Sequence, residues 1–310
     1  MRTCEIDDIV VAGGRRLRVR RWSGEGAPLV LLHGVFDSSA GWEGLVAGTH
    51  RPCVAFDLPG FGGSQAPREH LIASYADDVV EGIERLGLDA VTLVGHSLGG
   101  AVATSVAERC PEVSSLALLA PAGFGPIPLA DLFAIPGIHR VAMTALPLAL
   151  MTPPLVLGGY MAFVSHGRRP TRELVLRIGG DAWPTASGVR AAVRTLQQCA
   201  HAPDAFHLRR VAFDGPVAAL WGSHDVLVPP DHARGLRAAL PQARVEVWSG
   251  MGHHPQHERT AELALFIERC ARHNERQPNT AKQLVHHASR NAKRRSAPNR
   301  RSRRCEGREG

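Results

Sequence analysis

Val91-Thr92-Leu93-Val94-Gly95-His96-Ser97-Leu98-Gly99-Gly100 joins two patterns that rarely meet so abruptly. Val91 to Val94 is an apolar, β-branched run of the kind that forms a strand buried on both faces. Leu98 to Arg109 then carries the spacing of a helix. Between them Ser97 stands at the centre of Gly-x-Ser-x-Gly, on a turn too sharp for relaxed backbone. Gly95 and Gly99 flank it because a Cβ at either place is expected to strike the neighbouring strand or helix. The turn lifts the Ser97 hydroxyl clear of the sheet. The start of the following helix favours negative charge beside it. Ser97 is therefore the candidate nucleophile.

Upstream, Glu5–Ala12 and Arg15–Trp22 read as two strands joined at Gly13-Gly14, a hairpin signal. Pro28–Leu32 is a short apolar run, expected as a buried parallel strand, and it ends in His33-Gly34-Val35-Phe36. Ser38–Val46 is expected as a helix packing Trp42. Cys53–Phe56 is the next strand, and Asp57-Leu58-Pro59-Gly60-Phe61-Gly62-Gly63-Ser64 follows it. Asp57 is expected to order that loop by accepting backbone N–H groups. Ile72–Leu86 reads as an amphipathic helix with Asp77, Asp78, Glu81 and Glu84 outward. Downstream, Ser115–Leu119, Pro216–Trp221 and Val245–Trp248 read as further strands. The first ends in Ala120-Pro121-Ala122, without a carboxylate. The second ends in Gly222-Ser223-His224-Asp225, and the third in Gly250-Met251-Gly252-His253-His254-Pro255-Gln256-His257-Glu258. Asp231 is expected to cap a helix.

From about Ile6 to about Ala271 these motifs resemble the α/β-hydrolase family, in its serine esterase and lipase branch. The resemblance implies a mostly parallel central sheet, helices on both faces and an inserted helical cap. The expected organisation is a core of residues 1–122 and 211–272, a cap of 123–210 and a basic tail of 273–310. Asp225 matches the family's catalytic carboxylate, and His253 aligns on its Gly-His-x-Pro-x-x-Glu pattern, with His254 the alternative base. Ser97, Asp225 and His253 follow the nucleophile–acid–histidine order of this fold. The resemblance gives an oxyanion hole made by the Val35 and Leu98 N–H groups. His33 is expected to be structural. The implied activity is hydrolysis of an ester or thioester of a small-to-medium apolar acyl group, without a metal or cofactor. Two rivals share the triad: carbon–carbon bond hydrolysis of ring-cleavage products and cofactor-free perhydrolysis. A binding protein on the same scaffold would be expected to have lost Ser97, Asp225 or His253. Dehalogenases and epoxide hydrolases of this fold need an aspartate where Ser97 stands.

Length and charge bound the rest. The 310 residues suffice for one large domain with an insertion. The net charge of +7 suggests nucleic acid until it is located: residues 271–310 hold twelve Lys or Arg and three Glu, leaving the first 270 at −2. That tail is poor in large apolar side chains and is expected to be disordered. It reads as a solvated extension, or as an electrostatic anchor for anionic membrane or nucleic acid. The six cysteines show no paired or metal-binding spacing. Acidic residues near the start replace the apolar run of a signal peptide, so a cytoplasmic protein is expected. Ala142–Val164 has no charge over 23 residues, but prolines and glycines interrupt it, and it reads as an apolar cap lining. Leu129, Leu132, Phe133, Ile135, Leu146, Leu148, Leu150, Met151, Leu155, Leu157 and Phe163 are expected to line it, with Arg168, Arg169, Arg172 and Arg177 at the pocket mouth or in solvent.

Overall fold

Alternation of short apolar strands with amphipathic helices builds the molecule, here described from a computed structural model. The described residues are 2–135, 137–149, 152, 158 and 185–276, with side chains to residue 272. They belong to a unit spanning Met1–Gln277; the second unit, Pro278–Gly310, lies outside the described residues, as does the expected disordered tail except for residues 273–276, which continue the last helix. Eight strands form one sheet: β1 (Cys4–Val11), β2 (Arg15–Trp22), β3 (Leu29–Leu32), β4 (Cys53–Phe56), β5 (Val91–His96), β6 (Val113–Leu119), β7 (Val217–Gly222) and β8 (Arg244–Trp248). Their order is β1-β2-β4-β3-β5-β6-β7-β8. The β1–β2 and β2–β4 pairs are antiparallel, and all other pairs are parallel.

The helices are α1 (Glu43–Ala47), α2 (Ile72–Arg85), α3 (Leu98–Ala107), α4 (Pro128–Ala134), α5 (Ile138–Ala149), α6 (Ala186–His201), α7 (His232–Ala239), α8 (Pro255–Glu258) and α9 (Thr260–Arg276). The β3, β4 and β5 strands are buried along their whole length, which accounts for their unbroken apolar sequence. One buried cluster, with Phe56, Phe61, Tyr75, Val102 and Trp221, covers one face of the sheet. A second, with Trp42, Leu45, Leu263, Phe266 and Ile267, covers the other. The chain runs outward from β3 to β4 and then returns to place β5 on β3's other side. The sheet's order thus reverses between β3 and β5, where a crevice opens at the carboxyl ends of parallel strands. His33-Gly34-Val35 and Ser97 stand at that crevice.

Between β6 and β7 the described residues form no strand. The described part of that insertion is helical, α4 and α5 bent by 114° to one another and packed with α6. Ala130, Phe133, Val193 and Leu196 make its own small core. Leu129 and Leu146 pack against that core, whereas Leu132, Ile135 and Leu148 face outward. The other expected lining residues, Leu150, Met151, Leu155, Leu157 and Phe163, and the four arginines lie outside the described residues. Among the described residues no single helix is long and apolar enough to cross a membrane.

Three local expectations are corrected. The Ser38–Val46 helix is split into a 3-10 turn, Ser39–Trp42, and α1, with Trp42 buried as expected. Asp78 is buried, not outward, and pairs with Arg15 on β2. Burial pushes its carboxyl up to about 6 against the pull of Arg15. Asp231 sits at the start of α7 without a side-chain cap, because its own backbone is already helical (φ −61°, ψ −22°). His257 and Glu258 close the short helix α8; the final helix begins at Thr260.

Candidate active site

The turn between β5 and α3 is as strained as its sequence demands. Ser97 has φ 54° and ψ −118°, a region L-residues avoid. A Cβ on Gly95 would lie 2.4 Å from the Gly99 carbonyl oxygen, and one on Gly99 would lie 2.2 Å from that of Leu32. Backbone bonds pin the strain in place: the Ser97 N–H donates to Leu119 O at 2.9 Å, and the Ser97 carbonyl accepts from Ala122 N at 3.0 Å. The hydroxyl consequently emerges at the positive end of α3.

Asp225 follows β7 and is buried. Its Oδ1 accepts the Leu227 and Val228 N–H groups at 3.0 and 2.9 Å. Its Oδ2 lies 2.7 Å from His253 Nδ1. Because a carboxylate only accepts, Nδ1 carries the proton, and Nε2 keeps its lone pair whenever the ring is neutral. His253 in turn shares with Ser97 a small cavity of about 60 Å³. Val35 and Leu98 line the same space. Among the described residues no hydrogen bond joins Ser97 Oγ to the His253 ring, a contact that commonly tightens only when substrate is present. The five residues singled out from sequence are therefore brought together: one pair hydrogen-bonded, and all but Asp225 on the cavity wall.

The remaining walls are apolar except for Thr195 on α6: Ile127 and Leu129 at the entry to α4, Leu196 and Cys199 on α6, with Phe206, Leu227 and Val228 beyond. Of these only Leu129 is among the lining residues expected from sequence. A helical face can be read from spacing, but its partner across the cleft cannot. Cys4, Cys53, Cys110, Cys199 and Cys270 are free thiols, and burial, then Asp131, pushes Cys199 up to about 11.

Two further histidines stand near the site. His33 Nε2 accepts the Leu58 N–H at 3.0 Å and its Nδ1–H donates to Gly34 O at 2.7 Å, so the ring braces its loop as expected. His254 packs against His96, His253 and His257, with ring centroids 4.8, 5.3 and 5.5 Å apart. Asp57 accepts the Ser39 and Gly63 N–H groups, each at 2.7 Å, and orders its turn. Sequence reasoning missed His96 and Gln256. His96 Nε2–H donates to His253 O at 2.9 Å, and Gln256 Nε2–H donates to His96 Nδ1 at 3.3 Å. Glu258 accepts the Gly252 and His254 N–H groups, folding the histidine loop back on itself.

His96, His253 and His254 bring ring nitrogens within 4.8 Å of one another, close enough to consider a metal. The donor set fits one poorly. Both nitrogens of His96 are already engaged, and the Asp225 bond occupies Nδ1 of His253.

Residues 27–260 match the family model described as the alpha/beta hydrolase fold. An uncharacterized protein of Mycobacterium tuberculosis is 32% identical over 266 residues, covering 81% of this chain and 77% of its own. The dihydrolipoyllysine-residue acetyltransferase component of the acetoin cleaving system of Pseudomonas putida is 30% identical over 255 residues; the match covers 79% of this chain and 64% of that one. Among solved structures, a thermophilic esterase from Thermogutta terrifontis superposes with a TM-score of 0.70 at 22% identity, over 87% of this chain and 99% of its own. The chain belongs to the α/β-hydrolase fold family.

Proposed function

We propose that the protein is a serine hydrolase acting on an ester or thioester of a small-to-medium apolar acyl group. The observation that carries the reading is the 2.7 Å bond from His253 Nδ1 to buried Asp225, with His253 and Ser97 facing one apolar cavity. His253 Nε2 takes the Ser97 proton as Oγ attacks the acyl carbonyl carbon. Asp225 holds the ring in the tautomer that can accept, and stabilises the imidazolium that forms. The tetrahedral oxyanion is held by the Val35 and Leu98 N–H groups, the second at the positive end of α3. His253 returns the proton to the departing oxygen or sulfur, leaving the acyl group on Ser97. Water, deprotonated by the same nitrogen, then releases the acid and restores Ser97.

The walls argue for the substrate class. Ile127, Leu129, Leu196, Phe206, Leu227 and Val228 offer an acyl chain apolar contact and no opposite charge. The insertion carrying α4 to α6 then acts as a cap, and a substrate seated beneath it would displace water and strengthen the polar contacts at the carbonyl. Each buried methylene adds about 0.8 kcal/mol, roughly fourfold in kcat/KM. Hydrolysis of p-nitrophenyl esters is accordingly expected to rise from acetyl to about hexanoyl or octanoyl and to fall once the cavity is full. Rates that decline steadily from acetyl onward would refute the acyl-pocket assignment.

A further inference from the structure

The chemistry assigned to Ser97 and His253 needs three separate chain segments in register: the β5–α3 turn, the loop after β3 and the histidine loop after β8. One side chain touches all three. His96 precedes Ser97 and is completely buried. Its Nε2–H reaches 157 residues along the chain to the backbone carbonyl of His253 itself, at 2.9 Å. Its Nδ1 accepts the side-chain amide of Gln256, three residues beyond His253, at 3.3 Å. On the loop after β3, a Cβ at Gly34 would lie 3.0 Å from His96 Nδ1 and 3.0 Å from Ser97 Cβ, so the ring is packed against that backbone. The His96 and His253 rings lie 4.7 Å apart.

The bonding admits one protonation state. A carbonyl oxygen only accepts, so Nε2 must carry hydrogen. Nδ1 then offers a lone pair, which orients the Gln256 amide with its NH2 inward. Burial, then the neighbouring imidazole of His253, holds His96 well below the usual histidine range, so the ring stays neutral. Phenylalanine matches the ring but lacks the donor, and a charged side chain would be buried beside the base.

We infer that His96 is a positioning residue: its bond to the His253 carbonyl fixes the height of the base above the Ser97 hydroxyl, and Gln256 locks the ring that makes this bond. The inference rests on the function proposed above. It predicts a defect in the chemical step, since the ring is set behind the turn and is not on the cavity wall. A displacement of the base of even 1 Å costs about 100-fold when proton transfer depends on alignment.

The test compares His96→Phe, His96→Gln, Gln256→Leu and His253→Ala in the full chain, with p-nitrophenyl butyrate and a fluorophosphonate as probes. His96→Phe is expected to lower kcat by about 100-fold with KM within about threefold, and to slow fluorophosphonate labelling in parallel. His96→Gln, whose Nε2 can still donate to the carbonyl, is expected to recover at least about tenfold of that loss. Gln256→Leu leaves the main bond in place and is expected to lose about tenfold in kcat, again at constant KM. The inference is overturned if kcat of folded His96→Phe stays within about threefold of wild type, or if the glutamine variant is no better than phenylalanine. Should His96→Phe not fold, Gln256→Leu decides: a wild-type kcat overturns the inference, and a selective loss of kcat upholds it. A His253→Ala protein that remains active would instead overturn the function on which the inference rests.

Discussion

Replacing Asp225 by asparagine exchanges one carboxylate oxygen for an NH2 group, and the surroundings decide which one. Oδ1 accepts two backbone N–H groups, from Leu227 at 3.0 Å and Val228 at 2.9 Å. An NH2 there would set three donors against one another, so the amide oxygen must take that side. The NH2 is thereby turned toward His253 Nδ1, in the place of the oxygen now 2.7 Å away. A donor at that point requires a lone pair on Nδ1, which moves the ring proton to Nε2. His253 would then present N–H to Ser97 where it must accept. The packing is preserved and the tautomer is wrong. A change of this kind lowers kcat by about four orders of magnitude, about 5 kcal/mol of barrier. The assay is steady-state hydrolysis of p-nitrophenyl butyrate by both proteins, with thermal unfolding in parallel to show that the fold is unchanged. A folded Asp225→Asn protein within about tenfold of the wild-type kcat would refute the reasoning and remove Asp225 from the mechanism.

His253→Ala is expected to abolish esterase turnover while His254→Ala keeps most of it, because only His253 bonds Asp225 and faces the cavity; the reverse ranking in the same assay would move the base to His254. The buried carboxyl of Asp78, pushed up to about 6 from the ordinary 3.8, binds its proton more tightly folded than unfolded. Its contribution to stability is therefore greatest below pH 4 and is lost as pH rises toward 6, by up to about 3 kcal/mol before solvent screening reduces it. Urea unfolding of wild type and Asp78→Asn across that range is expected to show the difference narrowing or reversing in this sense, and a pH-independent difference would refute it. A chain ending at Gln277 retains α9 and every residue of the site, so it is expected to keep the esterase rate and to lose salt-dependent retention on heparin, measured by column elution; insoluble or inactive protein would refute the separation.

The parts of this molecule that could be read from sequence are those fixed by short-range geometry. Gly95, Ser97 and Gly99 announce a sharp strand-to-helix turn because no bulkier residues fit between the Leu32 and Gly99 carbonyls. Asp225 follows an apolar strand and His253 a shorter strand of alternating pattern, and parallel pairing brings strand ends of one sense to one edge. What stayed hidden depends on partners far along the chain. Asp78 shares a helix turn with exposed Asp77, and only Arg15, 63 residues away, turns it into a buried ion pair. Leu196, Cys199, Phe206, Leu227 and Val228 converge on one cavity from α6 and from loops on either side of β7, a meeting that no local period encodes. His96 stood in the quoted turn from the outset, yet its role lies in a carbonyl 157 residues downstream.

The central claim is that Ser97 is a nucleophile activated by His253, and covalent labelling tests it most directly. Wild-type protein treated with a fluorophosphonate, digested and mapped by mass spectrometry is expected to carry one adduct, on Ser97. Ser97→Ala is expected to carry none, and His253→Ala to label slower by at least about 100-fold. An adduct on another residue, or a Ser97→Ala protein that still hydrolyses p-nitrophenyl butyrate at more than about 5% of the wild-type rate, would contradict the account.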